Sequence, residues 1–184
     1  MTDETEWIRL ARAGDQAAFG RLVGTYQTPV YNLAYRMLGN AAEAEEAAQE
    51  AFLRAYTHLR SYDLQRPFRS WLLSIASHYC IDRLRRRRIT WLSFEDEIAA
   101  PEQLTSNSPN PEAVVTQREQ EQQMQQLLAA LSPTDRAAIT LRYWYDYSYE
   151  EIAESLNLTV SAVKSRLHRA RRALANMMGE APYG

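Results

Sequence analysis

Apolar residues recur at intervals of three and four along most of this 184-residue chain, which is the spacing of amphipathic α-helices. In the first half, the pattern predicts helices over about residues 4–13, 15–39, 40–59 and 68–88. No segment alternates apolar and polar residues in the manner of a half-buried β-strand. The fold class is therefore predicted to be all-α.

The helical pattern is interrupted between residues 90 and 111, where Pro101, Pro109 and Pro111 are interspersed with Asn, Ser and Thr. This composition is typical of a flexible linker. Helical periodicity resumes at residue 112. We therefore predict two small helical domains, at residues 1–89 and 112–184, joined by a flexible linker at residues 90–111.

Residues 148–178 have the pattern of a helix-turn-helix. Ser148 and Glu151 have the spacing of a capping box, and Asn157 tolerates the left-handed backbone that the turn requires. Either Thr159 or Ser161 can cap the second helix. Between positions 164 and 172 this helix has five Lys and Arg residues and no acid, which suits a polyanion such as DNA. The alternative interpretation is an ordinary helical hairpin with a solvated basic face.

Charge is distributed unevenly along the chain, although the net charge is only −2. Glutamates cluster at positions 43, 45, 46 and 50, whereas arginines cluster at position 83 and at positions 85–88. Such separation indicates that different faces of the molecule bind different partners.

Several classes of function lack support in the sequence. The lone cysteine, Cys80, excludes an internal disulfide framework and fits a reducing compartment, so we expect a cytoplasmic protein and interpret Cys80 as a packing residue. No signal peptide or membrane-spanning run is present, so we expect no direct membrane insertion. Metal-ligand spacing, a P-loop and a nucleophile–base pair are also missing. We therefore expect no metal, no cofactor, no small-molecule substrate and no enzymatic activity.

Both halves of the chain resemble a known family. The segments AEAEEAAQEAFLRAYTHL and FRSWLLSIASHYCIDRLRRRR resemble region 2 of bacterial sigma factors. The segment LSPTDRAAITLRYWYDYSYEEIAESLNLTVSAVKSRLHRARRAL resembles region 4. The short chain, with only a linker between the two regions, is similar to the extracytoplasmic-function group. The resemblance implies a subunit that binds the β′ and β subunits of core RNA polymerase, recognises promoter DNA and helps to open it.

The resemblance also implies three sets of site residues. The polymerase-binding residues lie on the third helix and are Glu46, Gln49, Glu50 and Arg54. The residues that recognise the −10 element or hold the adjacent duplex are Tyr62, Asp63, Phe68, Arg69, His78, Arg83, Arg86 and Arg87. The residues that contact the −35 element are Lys164, Ser165, Arg166, His168, Arg169 and Arg172.

Two further expectations concern partners and the alternative function. The family is commonly inhibited by an anti-sigma factor that is often membrane-bound, so an anti-sigma factor is an expected partner, one that holds the protein near the membrane. The linker would then allow the domains to pack together when inhibited and to separate on polymerase. The alternative is a helix-turn-helix regulator that binds an operator without being a polymerase subunit.

Overall fold

The computed structural model describes residues 3–93 and 112–179. Every regular secondary-structure element in these two segments is a helix. The first segment contains α1 (Asp3–Arg12), α2 (Gln16–Leu38), α3 (Ala41–His58), a 3₁₀ turn (Leu59–Ser61) and α4 (Phe68–Ser93). The second contains α5 (Glu112–Ala129), α6 (Pro133–Trp144), α7 (Tyr149–Leu156) and α8 (Val160–Met177). The predicted all-α class is confirmed. No helix within these described segments is both long and apolar enough to span a bilayer.

Helix α4 ends five residues later than the sequence analysis predicted, so the predicted boundary at residue 88 was wrong. Its final turns contain neither proline nor glycine. The Thr90 and Ser93 hydroxyls donate to the carbonyl oxygens of Arg86 and Ile89, four residues earlier, at 3.0 Å each. The helix therefore extends into the predicted linker, and the remaining linker residues, 94–111, lie outside the described residues.

Short polar side chains start the helices where the sequence places them. The Asp15 carboxylate accepts from the Ala17 and Ala18 amides, and the Asn40 side chain accepts from Glu43 N. Ser132 precedes Pro133 and caps α6 by accepting from Asp135 N. Such caps satisfy amides that have no partner within the helix.

The first domain packs α2, α3 and α4 around a shared core, with α1 against α2. The face of α3 that points inward consists mainly of alanines, which allow neighbouring helices to approach closely; these are Ala44, Ala47, Ala51 and Ala55. Phe68 starts α4 and is fully buried in the same core, beside Tyr26 and Trp71.

The two domains pack directly against each other, with α4 on α6 and α7, and α2 on α5 and α6. The Tyr145 hydroxyl donates to the Pro29 carbonyl oxygen at 2.6 Å, and the Ser74 hydroxyl donates to the Ser155 carbonyl oxygen at 2.8 Å. We call this packing of the two domains the closed arrangement.

A buried cation completes the closed arrangement. The Arg136 guanidinium donates to the carbonyl oxygen of Met37 at 2.6 Å, and to those of Ala129 and Leu131 at 3.0 and 3.2 Å. Met37 lies in the last turn of α2, and the other two acceptors lie at and just beyond the end of α5. Helix C-termini carry partial negative charge, so this cation is solvated by main-chain dipoles from both domains.

Candidate nucleic-acid interface

The turn between α7 and α8 has the geometry that its sequence predicts. Ser148 Oγ accepts from Glu151 N at 3.1 Å, and Glu151 Oε2 accepts from Ser148 N at 2.7 Å, so the capping box is formed. Asn157 has the left-handed conformation, with φ 54° and ψ 47°. Of the two possible caps for α8, Thr159 is the one used, accepting from Ala162 N at 3.0 Å.

Helix α8 buries one face and exposes a basic one. Val163, Leu167 and Ala170 are buried where α8 packs on α6 and α7. The opposite face carries exposed polar and cationic side chains at helical spacing, and we call it the recognition face: Lys164, Ser165, His168, Arg169 and Arg172. With no acid among these residues, this face is a coherent positive surface of the width of one helix.

Arg166 points away from the recognition face, although the sequence analysis grouped it with the −35 contacts. Its Nη1 lies 2.8 Å from Asp135 Oδ1, in the first turn of α6, and both side chains are partly buried. Arg171 is held similarly, since it donates to the hydroxyls of Tyr143 and Tyr149. The bond from Arg171 lowers the pKa of the Tyr149 hydroxyl. Both arginines therefore fix the position of α8.

In the loop between the 3₁₀ turn and α4, Tyr62 and Phe68, which the resemblance places at the −10 element, are buried rather than exposed. Tyr62 is 5% exposed and Phe68 is 2% exposed. Their rings pack edge to face at 5.6 Å, and the Tyr62 hydroxyl donates to the Arg66 carbonyl oxygen. Both rings therefore anchor the loop to the core. The exposed tip of the loop is instead formed by Asp63, Leu64 and Gln65.

Two further residues predicted to recognise the −10 element lie on α4. The Arg69 guanidinium lies over the Tyr145 ring at 5.4 Å, although the side chain remains exposed. His78 is half-buried, and its Nε2 atom has no hydrogen-bond partner among the described residues.

The arginine cluster at the end of α4 divides into paired and unpaired members. Arg83 forms ion pairs with Glu43 at 3.3 Å and Glu46 at 2.7 Å. Arg87 pairs with the same Glu43 and donates to the Leu38 carbonyl oxygen. Arg86, by contrast, forms no ion pair with any residue that the structure describes.

The acidic face of α3 has an apolar centre that the sequence analysis missed. Glu46, Gln49 and Leu53 are exposed along one face, and Leu53 is 60% exposed. Leu53 falls outside the alanine stripe of α3, which is the signal that could have identified it. Glu50 and Arg54 form an ion pair at 2.7 Å, and Arg54 lies over the Tyr79 ring of α4.

The described residues contain no group of three His, Cys, Asp or Glu side chains placed to hold a metal ion. Cys80 is fully buried, and burial raises the pKa of its thiol to about 12. A thiol in this environment is inert, which agrees with the interpretation of Cys80 as a packing residue.

Comparison with known families assigns both domains. The family described as Sigma-70 region 2 matches residues 22–90, and Sigma-70, region 4, matches residues 121–174. Together these matches cover most of the chain, including the arginine end of α4 and the whole recognition face.

Named relatives and a solved structure agree with this assignment. The chain is 40% identical to the ECF RNA polymerase sigma factor SigW of Bacillus subtilis, over 93% of this chain and 94% of SigW. It is 32% identical to the RNA polymerase sigma-H factor of Pseudomonas aeruginosa, over 93% and 91% of the two chains. The structure of CnrH in complex with the cytosolic domain of CnrY matches with a TM-score of 0.69 and 25% identity, over 97% and 98% of the chains.

Proposed function

This chain belongs to the extracytoplasmic-function sigma factors of the sigma-70 family, and from this premise we propose which of its surfaces bind core polymerase and promoter DNA. A sigma factor binds core RNA polymerase and directs initiation to promoters through their −35 and −10 elements. The observation that carries the assignment of surfaces is the acid-free recognition face of α8, presented by a correctly capped helix-turn-helix.

The recognition face enters the major groove of the −35 element. Arg169 lies near its centre, and its exposed guanidinium, which pairs with no residue in the described segments, can donate to both acceptors on the edge of a guanine. Lys164 and Arg172 flank it along the helix and contact phosphates. Arg166 acts indirectly, because its ion pair with Asp135 sets the orientation of α8 on α6.

The loop at residues 62–66 and helix α4 recognise the −10 element. Asp63 and Arg69 are the predicted residues with exposed polar groups available to a base or its backbone, whereas His78 Nε2 is buried without a described partner in the closed arrangement. Tyr62 and Phe68 support them by holding the loop in one conformation, since both rings belong to the core. Arg86 binds phosphate of the duplex beside the melted segment, because its charge is not neutralised by a described neighbour.

The exposed face of α3 binds core polymerase. Glu46, Gln49 and Glu50 lie around Leu53, so the surface has an apolar centre with a polar rim, in which Glu46 and Glu50 also pair with Arg83 and Arg54. Buried apolar centres with polar rims are typical of protein interfaces, and complementary charge mainly raises association rate and specificity. Arg54 joins this face to α4 through its contact with the Tyr79 ring.

The closed arrangement is incompatible with simultaneous contact to both promoter elements. Elements centred near −35 and −10 lie about 25 base pairs apart, or about 85 Å at 3.4 Å per base pair. In the structure, α7 touches α4 through the 2.8 Å bond between Ser74 and Ser155. The domains must therefore separate on polymerase.

An anti-sigma factor that keeps the domains together is a fitting partner, since CnrH shares this whole-chain fold in a complex with CnrY. The protein acts in the cytoplasm, where the polymerase and the chromosome are. Its role is non-catalytic, because the polymerase supplies the chemistry of RNA synthesis.

The test compares promoter binding by the free protein with binding by the reconstituted holoenzyme. We expect sequence-specific binding only with core polymerase present, and Arg169→Ala should relax the −35 preference by the equivalent of about 1–3 kcal/mol. Arg172→Ala is the matched control on the same helix, because a phosphate contact carries no sequence information, and it should weaken binding without changing base preference. Specific, tight binding by the free protein alone would support the operator-binding alternative instead.

A further inference from the structure

A cleft between α3 and the last turns of α4 contains an aromatic side chain without a partner. The cleft has a volume of about 400 Å³, and Trp91 lines its outer end. Trp91 is 56% exposed, whereas the other three tryptophans each contact an aromatic ring or an arginine. Among the described residues, Trp91 has no such contact. A large flat side chain kept at a cleft surface suits a ligand with a flat face.

The walls of the cleft are cationic. Four arginines and two carboxylates line it, so its net formal charge is +4 − 2 = +2. Glu43 is occupied by Arg83 and Arg87, which leaves Arg86 as the arginine with the most available charge. Arg86 and Trp91 lie five residues apart on α4, or about 7.5 Å along the helix axis.

We propose that this cleft binds one nucleotide of promoter DNA, with the base stacked on Trp91 and the phosphate against Arg86. The proposal rests on the sigma-factor function proposed above and adds a contact outside the predicted DNA-binding set. Base stacking on an aromatic ring, combined with a cationic groove that follows the backbone, is how single strands are commonly held.

Charge and position favour DNA over a protein as the occupant. Arginines outnumber carboxylates in this lining by four to two, so an anionic occupant matches it better than an uncharged protein segment. The cleft also lies at the arginine end of α4 and includes Arg86, which is proposed above to hold phosphate beside the melted segment. A nucleotide at the upstream edge of the melted segment therefore has the right chemistry and lies in the right place.

The test combines Trp91 substitutions with abasic sites in the promoter. The reconstituted holoenzyme is titrated against promoter fragments that each lack one base, across the −10 element and the adjacent upstream duplex. We expect Trp91→Ala to weaken binding to the intact fragment about tenfold, within the range measured for stacking on one base. Trp91→Phe should retain most of the affinity, because it keeps a stacking surface.

The decisive result is coupling at one position. Removing the base that stacks on Trp91 should weaken wild-type binding about tenfold and have no further effect on the Trp91→Ala variant. Leu92→Ala is the matched control, since Leu92 is equally exposed on the same turn but does not line the cleft. Equal losses for Trp91→Ala at every abasic position, or no loss on intact DNA, would overturn the proposal.

Three further outcomes would show whether the occupant, the sigma-factor assignment or the nucleotide site is wrong. If Trp91→Ala weakens the affinity for core polymerase in the absence of DNA, the cleft contacts protein and the proposal is wrong. If the wild-type protein forms no promoter-binding holoenzyme, the sigma-factor assignment itself fails. Normal initiation by the Trp91→Ala variant without any coupled base would reject only the nucleotide site.

Discussion

Single residues at the domain boundary account for features that local sequence does not predict. Arg136 was not identified as important, because its partners are carbonyl oxygens 99, 7 and 5 residues away in the chain. Burial lowers the pKa of its guanidinium, yet arginine remains charged in proteins. Tyr62 and Phe68 show the opposite case, in which residue type suggests a function that tertiary structure does not support. Their residue types suit base stacking, but only the tertiary structure shows that both rings are buried.

Replacing Arg136 with methionine should destabilise the protein by about 3 kcal/mol, because buried carbonyl oxygens from both domains lose a charged donor. The free energy of unfolding from urea titration measures this loss. Arg172→Met is the control, since Arg172 is exposed and its replacement should change stability by less than about 0.5 kcal/mol. Equal stability of the two variants would contradict the role assigned to Arg136.

Cys80 should be unreactive in the folded protein. With its pKa raised to about 12 by burial, the thiol is almost entirely protonated at neutral pH. In the unfolded chain, the pKa of this thiol is near 8.5. The contribution of Cys80 to the free energy of unfolding is therefore fully present below about pH 8.5 and is lost as the pH rises toward 12. Titration with a chromogenic disulfide reagent at pH 7 should show slow labelling that becomes fast in guanidinium. Equally fast labelling of the native protein would contradict burial of the thiol.

At the scale of elements, sequence patterns predicted helix starts better than helix ends. Capping depends on one or two local side chains, so the capping box of Ser148 and Glu151 was identified from sequence and is confirmed. The end of α4 was not, because Thr90 and Ser93 bond back to the preceding turn and continue the helix. The sequence also did not predict which α4 arginines form ion pairs, because Glu43, the partner of Arg83 and Arg87, lies on another helix.

Because Arg87 is ion-paired and Arg86 is not, we expect their replacement to affect different properties of the protein. Arg86→Ala should reduce the slope of log affinity against log salt by about 0.9 for duplex promoter DNA, without loss of stability. Arg87→Ala should instead reduce stability by about 1 kcal/mol, because Glu43 loses one of its partners. Salt titration of holoenzyme binding and urea titration of the free protein measure the two effects. Identical salt slopes for both variants would show that Arg87 also contacts phosphate.

At the scale of the whole molecule, the closed arrangement leaves some of the proposed binding surfaces accessible and covers others. The recognition face and the exposed face of α3 remain accessible, whereas α7 covers part of α4. The distance between the two promoter elements far exceeds that between the packed domains. Under the proposed assignment of these surfaces, polymerase docking can precede domain separation, and separation must precede contact with both elements.

A reversible crosslink tests this order. Arg66 Nε lies 2.8 Å from Glu154 Oε1 across the domain boundary, so cysteines at these two positions can be joined by a short bis-methanethiosulfonate reagent, which links them through reducible disulfides. The crosslinked Arg66→Cys, Glu154→Cys protein should bind core polymerase normally but initiate at least tenfold more weakly. Reduction of the crosslink should restore activity, and treated Arg66→Cys protein is the control. Undiminished initiation by the crosslinked protein would show that the domains need not separate.

The central claim is that this chain gives core RNA polymerase its promoter specificity. Run-off transcription tests it most directly, with purified core polymerase and a pool of promoter-containing fragments from the source genome. We expect core polymerase alone to give no discrete run-off products, and addition of this protein to give products from promoters that share −35 and −10 motifs. If the protein enables no discrete initiation on any fragment in the pool, the account is contradicted.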